Sequence, residues 1–96
     1  MIQRCFSVEI DPELRDEFEE KFHGIALPDT LNSNGCRSVE IYRPTKSNPN
    51  TYLMISEWDS IDALQSKFGA AWQEASIPEV MRKFEVSHTI NHYEIW

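Results

Sequence analysis

The sequence predicts an α+β fold with the element order β-α-β-β-α-β, a four-stranded antiparallel sheet and two helices on one face. Segments of alternating side-chain polarity occur at the start, middle and end of the chain, as in half-buried strands. Two intervening segments carry apolar residues at helical spacing. The 96 residues leave room for one hydrophobic core, so we expect a single domain over residues 1–96. This split arrangement has the strand order 4-1-3-2.

The first strand is predicted over residues 2–10, where the even positions are apolar apart from Arg4. Asp11 and Pro12 then begin a helix, because aspartate accepts hydrogen bonds from free amides and proline has the φ of a first helical position. The helix buries one apolar stripe, made of Leu14, Phe18, Phe22 and Ile25. Residues 24–34 are either a kinked continuation of this helix or a loop with one turn, since Gly24 and Pro28 interrupt the pattern.

The second and third strands form a hairpin over residues 36–43 and 51–58, joined by a turn-rich connection. Both faces of the third strand are largely apolar. One face carries Tyr52, Met54, Ser56 and Trp58, and the other carries Leu53, Ile55 and Glu57. Two helices cover only one face, and an apolar patch left open to water usually marks an interface. We therefore expect a homodimer that packs sheet face to sheet face.

The second helix is predicted from Ile61 to Ala75, with Ser60 as its cap and the stretch before Pro78 as its end. One or two further helical turns are expected around residues 80–84. A last strand over residues 86–96 closes the fold.

The charge balance argues against several partner classes. Sixteen acidic and nine basic residues give a net charge of −7 and a pI near 4.8. Nucleic acids and anionic membranes attract basic proteins, so neither is expected as a partner. No apolar run is long enough to cross a bilayer, and the first five residues lack a basic region followed by a long apolar run, so we expect neither a membrane span nor a targeting segment. Cys5 and Cys36 are too few for a disulfide scaffold. We expect a cytoplasmic protein.

Two motifs carry a resemblance to a known family. A glycine-cysteine entry into the second strand reads Gly35-Cys36-Arg37-Ser38-Val39-Glu40. The junction of third strand and second helix reads Trp58-Asp59-Ser60-Ile61-Asp62-Ala63-Leu64. Together they resemble the antibiotic biosynthesis monooxygenase (ABM) domain family, and the order of elements agrees over nearly the whole chain. The resemblance implies a ferredoxin-like fold that forms a dimeric α/β barrel.

The resemblance also implies a range of activities: cofactor-free oxygenation of electron-rich phenols and quinols, haem degradation, and processing of small signalling molecules. Cofactor-free oxygenation needs a dry pocket, orientation and a base, because an electron-rich anion can itself pass an electron to O₂. Trp58 matches the family tryptophan that lines the cavity in enzymatic members. Haem-degrading members carry a histidine where this chain has Lys67, and an asparagine that the first strand lacks. These departures argue against haem degradation.

His88 and His92 are the candidate proton acceptors, since histidine titrates near neutral pH. They lie four residues apart on one strand, about 13 Å, which is too far for one metal ion. No metal site and no cofactor are expected. Arg4 interrupts an apolar strand face, and it either binds a substrate anion or pairs with an acid such as Glu94 on the neighbouring strand.

The sequence therefore predicts a monooxygenase-like protein acting on a small hydrophobic phenol or quinol between helices and sheet. The alternative is a non-catalytic dimeric domain that binds a small ligand or a protein. The predicted catalytic residues are His88, His92 and Trp58. The predicted substrate-binding residues are Arg4, Phe6, Tyr52, Met54, Lys67, Phe68 and Trp72.

Overall fold

A computed structural model describes residues 1–96, and its four strands form one antiparallel sheet in the order β2-β3-β1-β4. The strands are β1 Ile2–Ile10, β2 Cys36–Tyr42, β3 Thr51–Trp58 and β4 Glu85–Glu94. The α-helices are α1 Arg15–Lys21, α2 Leu27–Leu31 and α3 Ile61–Phe68, with 3-10 helices at Pro12–Leu14 and Glu79–Phe84 and a π-helical segment at Phe22–Ala26. The predicted ferredoxin-like α+β fold and strand order are confirmed. None of the helices combines the length and apolar character that crossing a bilayer requires.

The first helical region begins as predicted and continues past Gly24. The Asp11 side chain accepts a hydrogen bond from the Glu13 amide at 3.0 Å. The Leu27 amide donates to the Phe22 carbonyl five residues earlier, so the helix widens by one residue here and then resumes as α2. Pro28 is the second residue of α2, directly after the widened turn, and it has no N–H to donate to a carbonyl of that turn. The kinked helix is thus the correct one of the two alternatives for this region.

Helix α3 is shorter than the sequence predicts. It ends at Phe68 rather than Ala75, because Gly69 adopts a φ of 79° and its amide closes the helix on the Gln65 carbonyl at 2.8 Å. Residues 70–78 therefore form turns and irregular chain, and Trp72 lies outside any helix. The predicted helix over 69–75 was wrong, since the isolated glycine acts as a helix stop.

The sheet has one covered face and one open face. On β3 the covered face is buried beneath the helices and carries Tyr52, Met54, Ser56 and Trp58. The intervening residues on the open face, Leu53 and Ile55 among them, are half-buried, and no helix covers them. The main core lies under the helices and comprises Val8, Ile10, Phe18, Phe22, Tyr52, Met54, Met81 and Phe84.

Candidate functional site

A cavity of about 330 Å³ lies between the covered face of the sheet and the helices. Its walls come from β1, β3, the helical region of residues 18–30, the end of α3 and the chain around residue 77. The apolar lining consists of Phe6, Val8, Phe18, Phe22, Ala26, Met54, Phe68, Ile77, Pro78 and Met81. Pockets of this size that are mostly apolar with a few polar groups are typical of small-molecule sites.

Arg4 lines this cavity from β1 and is only 5% exposed. Its Nη1 donates to the Trp72 carbonyl at 2.5 Å and lies 2.9 Å from Nε2 of His92. Its Nη2 donates to the Glu74 carbonyl at 3.0 Å, and the guanidinium carbon lies 3.9 Å from the centre of the Phe68 ring. Burial lowers the pKa of Arg4 to about 10, so the side chain remains a cation near neutral pH.

Arg4 makes no ion pair. The expected pairing with Glu94 does not form, because the strand register sets Glu94 opposite Ile2 and sets His92 opposite Arg4. Of the two roles that the sequence left open for Arg4, the pairing with Glu94 was wrong. A buried cation without a carboxylate partner is uncommon, since desolvation makes such a charge costly.

The other ionisable groups of the lining each contact a partner side chain. Lys67 Nζ lies 3.2 Å from Asp29 Oδ2 at one rim of the cavity. At the other rim, Glu85 Oε1 contacts Nδ1 of His88. The lining therefore contains one buried positive charge with no counter-ion and two rim pairs.

Neither candidate histidine lines the cavity. His92 lies behind Arg4, with its ring 5.0 Å from the Trp72 ring in an edge-on arrangement. Burial and the charge of Arg4 lower the pKa of His92 below its ordinary value of 6.5. His88 is exposed on the outer side of Phe6, at 6.0 Å between ring centres.

Trp58 is fully buried one layer behind the cavity wall. Its Nε1 donates to Ser56 Oγ at 2.9 Å, and its ring meets Phe68 edge-on at 5.6 Å. Ser56 and Phe68 both line the cavity, so Trp58 positions two of the wall residues.

Tyr52 also lies outside the cavity lining. Its hydroxyl donates to Glu19 Oε2 at 2.5 Å and accepts from Arg15 Nη1 at 3.0 Å, which ties the hairpin to α1. Trp72 contributes its carbonyl to Arg4 rather than its ring to the wall. Five predicted site residues line the cavity: Arg4, Phe6, Met54, Lys67 and Phe68.

Sequence reasoning did not single out Ser56, Thr30 or Glu85 as lining residues. Ser56 had a usable signal, because it lies between Met54 and Trp58 on the covered face of β3. Thr30 lies in residues 24–34, for which the sequence left two conformations possible. Glu85 precedes the predicted start of the last strand and gave no signal of its own.

The lowered pKa of His92 predicts a loss of stability in mild acid. The unfolded chain protonates His92 near its ordinary pKa of 6.5, and the native state does so only at lower pH. The unfolded state thus binds more protons in between, so the contribution of His92 is complete above pH 6.5 and falls as the pH drops below it. We expect urea unfolding to show a larger loss from about pH 7.5 to about pH 5.5 in the wild type than in His92→Gln, which keeps an acceptor for Arg4 but cannot titrate. Equal losses in the two proteins contradict this.

Comparison with known proteins agrees with this architecture. The model of a family described as antibiotic biosynthesis monooxygenase matches residues 1–75. No curated protein matches the sequence. Among solved structures, a conserved protein from Methanosarcina mazei is similar with a TM-score of 0.74 and 22% identity, over 96% of this chain and 89% of that chain.

Two further structures are similar at low identity. An antibiotic biosynthesis monooxygenase has a TM-score of 0.71 and 15% identity, over 100% of this chain and 99% of that chain. A variant of MhuD with two manganese protoporphyrin IX bound per active site has a TM-score of 0.70 and 18% identity, over 99% of this chain and 94% of that chain. At these identities the likeness concerns the fold alone, whereas the family match extends over most of the sequence. The chain belongs to the antibiotic biosynthesis monooxygenase family.

Proposed function

We propose that this protein is a cofactor-independent monooxygenase-like oxidoreductase that acts on a small hydrophobic phenol or quinol. The observation that carries the proposal is the cavity of about 330 Å³, apolar over most of its wall and containing one buried guanidinium. Such a space fits a single substituted aromatic ring, and a bound ring displaces water from it. Family membership supports the oxygenase chemistry at a coarser level.

The proposed reaction needs no group beyond substrate and O₂. A phenol that has lost its hydroxyl proton passes one electron to O₂, and the phenoxyl radical and superoxide join at the ring carbon para to the oxygen. Proton return gives a hydroperoxide, which loses water with the hydrogen of that carbon. One phenol and one O₂ thus give one quinone and one water. The protein supplies orientation, proton transfer and a dry site.

The residues of the wall divide this work. Phe6, Met54 and Phe68 hold the ring, and Trp58 fixes the wall from behind. Lys67 lies at one rim. Of the two histidines, His92 is the better candidate for the proton acceptor, because its lowered pKa keeps it neutral near pH 7. His92 lies outside the lining, so a proton would reach it through Arg4, which contacts its Nε2. His88 reaches the cavity only through Glu85.

Haem is outside the proposal. Haem iron is usually held by histidine, cysteine or tyrosine, and methionine serves as a ligand together with histidine. The cavity lining contains no histidine, cysteine or tyrosine, and its sulfur atoms are the thioethers of Met54 and Met81. Lys67 stands where the resemblance places a histidine in haem-degrading relatives, and it pairs with Asp29. These residues do not fit haem, and no step is assigned to it.

Oxygen uptake with a panel of phenols and quinols tests the activity. We expect stoichiometric O₂ consumption and quinone formation with at least one member. Ala26→Phe fills the cavity from its wall, so we expect uptake to fall by about tenfold or more, while Gln65→Ala on the outer side of α3 leaves it unchanged. A panel without any uptake, or uptake that is unchanged in Ala26→Phe, Trp58→Ala and His92→Ala, contradicts the proposal.

A ligand-binding domain without turnover is the second candidate. The position of both histidines outside the cavity lining favours it, because no imidazole then faces a ligand directly. Ligand binding without oxygen uptake distinguishes this function from the first.

We further propose that the protein is a homodimer through the open face of the sheet. Leu53, Ile55 and Cys5 form a half-buried apolar strip there, and Tyr42 and Tyr93 flank it with 42% and 57% exposure. Strand pairing places these residues side by side, since Cys5 lies opposite Ile55 and Tyr42 lies opposite Leu53.

The two cysteines are free, which agrees with a reducing compartment such as the cytoplasm.

A further inference from the structure

The charge on Arg4 has no counter-ion within the protein. The other cation of the cavity lining, Lys67, lies 3.2 Å from the carboxylate of Asp29. The guanidinium of Arg4 is instead bounded by two carbonyls, a neutral imidazole and the face of Phe68. None of these groups carries a negative charge. The site therefore holds a full positive charge next to an apolar cavity.

Arg4 also has hydrogen-bond donors to spare. A guanidinium offers five N–H groups. Three are directed at the Trp72 carbonyl, the Glu74 carbonyl and Nε2 of His92. The N–H of Nε and one N–H of Nη2 have no acceptor in the protein. Two free donors on one planar group are suited to a single oxyanion or to a carboxylate.

The three existing contacts hold the guanidinium in place before any ligand arrives. Two of the acceptors are backbone carbonyls, and the His92 ring is itself packed against Trp72. A donor fixed in this way costs little reorganisation when an anion binds. Burying a cation without a counter-ion lowers the stability of the fold, because the charge loses its hydration. Features that lower stability in this way are concentrated at functional sites.

We propose that Arg4 forms an oxyanion-binding site in this cavity, and that its ligands are weak organic acids such as phenols and enols, bound as the anion. This inference rests on the proposed function, which supplies the aromatic ligand, and it adds that the ligand binds in its ionised form. The charged oxygen accepts from Arg4, and the ring lies against Phe6 and Phe68.

The distribution of charge in the cavity also sets the direction of the ligand. Glu85 lines the far rim opposite Ile10, six residues from Arg4 along β1, which is about 20 Å. An anionic oxygen is repelled from that rim and attracted to Arg4. Ligands with a single oxyanion and an apolar remainder therefore fit best, and a second anionic group at the opposite end weakens binding.

Binding of para-nitrophenol in the absence of oxygen tests the site, because the phenolate absorbs visible light and the phenol does not. We expect the protein to bind the phenolate and to lower the pKa of the bound phenol by about 1–3 units. The neutral analogue para-nitroanisole has the same ring without an ionisable hydroxyl, and we expect it to bind more weakly. This comparison uses the wild-type protein and needs no variant.

Variants then assign the effect to Arg4. We expect Arg4→Met to weaken phenolate binding by about 10–100-fold and Arg4→Lys to recover part of it. Arg37→Met removes the same charge from an exposed site on β2 and leaves binding unchanged. Circular dichroism of each variant verifies that the fold is retained.

The site is overturned if the wild type fails to bind para-nitrophenol at millimolar concentration, binds para-nitroanisole equally well, or keeps its affinity in a folded Arg4→Met. Phenolate binding without oxygen uptake leaves the anion site standing and rejects the oxygenase. Oxygen uptake that survives Arg4→Met at full rate leaves the oxygenase standing and rejects the anion site.

Discussion

Gly35→Ala is expected to be the most destabilising of the three possible glycine-to-alanine substitutions in this chain, at about 3 kcal/mol or more. Gly35 has a φ of 84°, which L-residues with a side chain rarely adopt, and a Cβ built there lies 2.5 Å from the Cβ of Ala63. Its carbonyl also accepts from the Asp59 amide at 2.8 Å, so the backbone cannot move away without breaking that bond. Urea unfolding measures the loss.

The two causes of this loss can be separated. In the double variant Gly35→Ala/Ala63→Gly the contact is removed and the backbone strain remains. We therefore expect the double variant to recover part of the lost stability, once the cost of the new helical glycine at position 63 is allowed for. Gly24→Ala is the matched control, because no atom lies within 4 Å of the added Cβ and the site is helical. We expect it to be neutral or stabilising by about 0.5–1 kcal/mol. If Gly35→Ala is as stable as Gly24→Ala, the close approach at Ala63 is wrong.

Ile55→Glu is expected to convert the proposed dimer into monomers. Ile55 lies in the middle of the open sheet face, opposite Cys5 on β1 and Glu40 on β2. In a dimer each copy would bury an unpaired carboxylate, so we expect the dissociation constant to rise by about 100-fold or more. Ile55 is only half-buried within one chain, so we expect the fold to be retained, with some loss of stability because the new carboxylate faces Glu40.

Sedimentation at micromolar concentration measures this effect. Gln65→Glu adds the same charge on the exposed side of α3 and should leave the dimer intact. A wild type that sediments as a monomer rules out the sheet-to-sheet dimer. An Ile55→Glu protein that remains dimeric moves the interface elsewhere.

The strands were predictable because their signal is local. The bounds of β1 and β3 agree with the alternation in the sequence, since each residue on a strand reports the face to which it points. Helix α3 was overestimated because Ala71, Trp72 and Ala75 keep the helical spacing beyond Gly69, whose positive φ overrides it.

The candidate site was less predictable, because it depends on register and on a segment without regular structure. The residue types on β1 and β4 were readable, but the pairing of Arg4 with His92 rather than Glu94 follows from an alignment of strands far apart in sequence. The carbonyls that hold Arg4 come from turns after α3, which periodicity does not describe. The sequence was enough to name several residues that line the cavity. Only the structure shows that Arg4 has no counter-ion.

The contacts of Arg4 link the charge of the cavity to the integrity of its wall. Residues 70–78 contain no helix or strand, yet Ser76, Ile77 and Pro78 form part of the lining. This stretch is fastened to the sheet through the two carbonyls that Arg4 holds. The side chain that attracts an anion is therefore also the tether of the loop that encloses it. A substitution that changes the charge at position 4 therefore also changes how firmly residues 70–78 are held against the sheet.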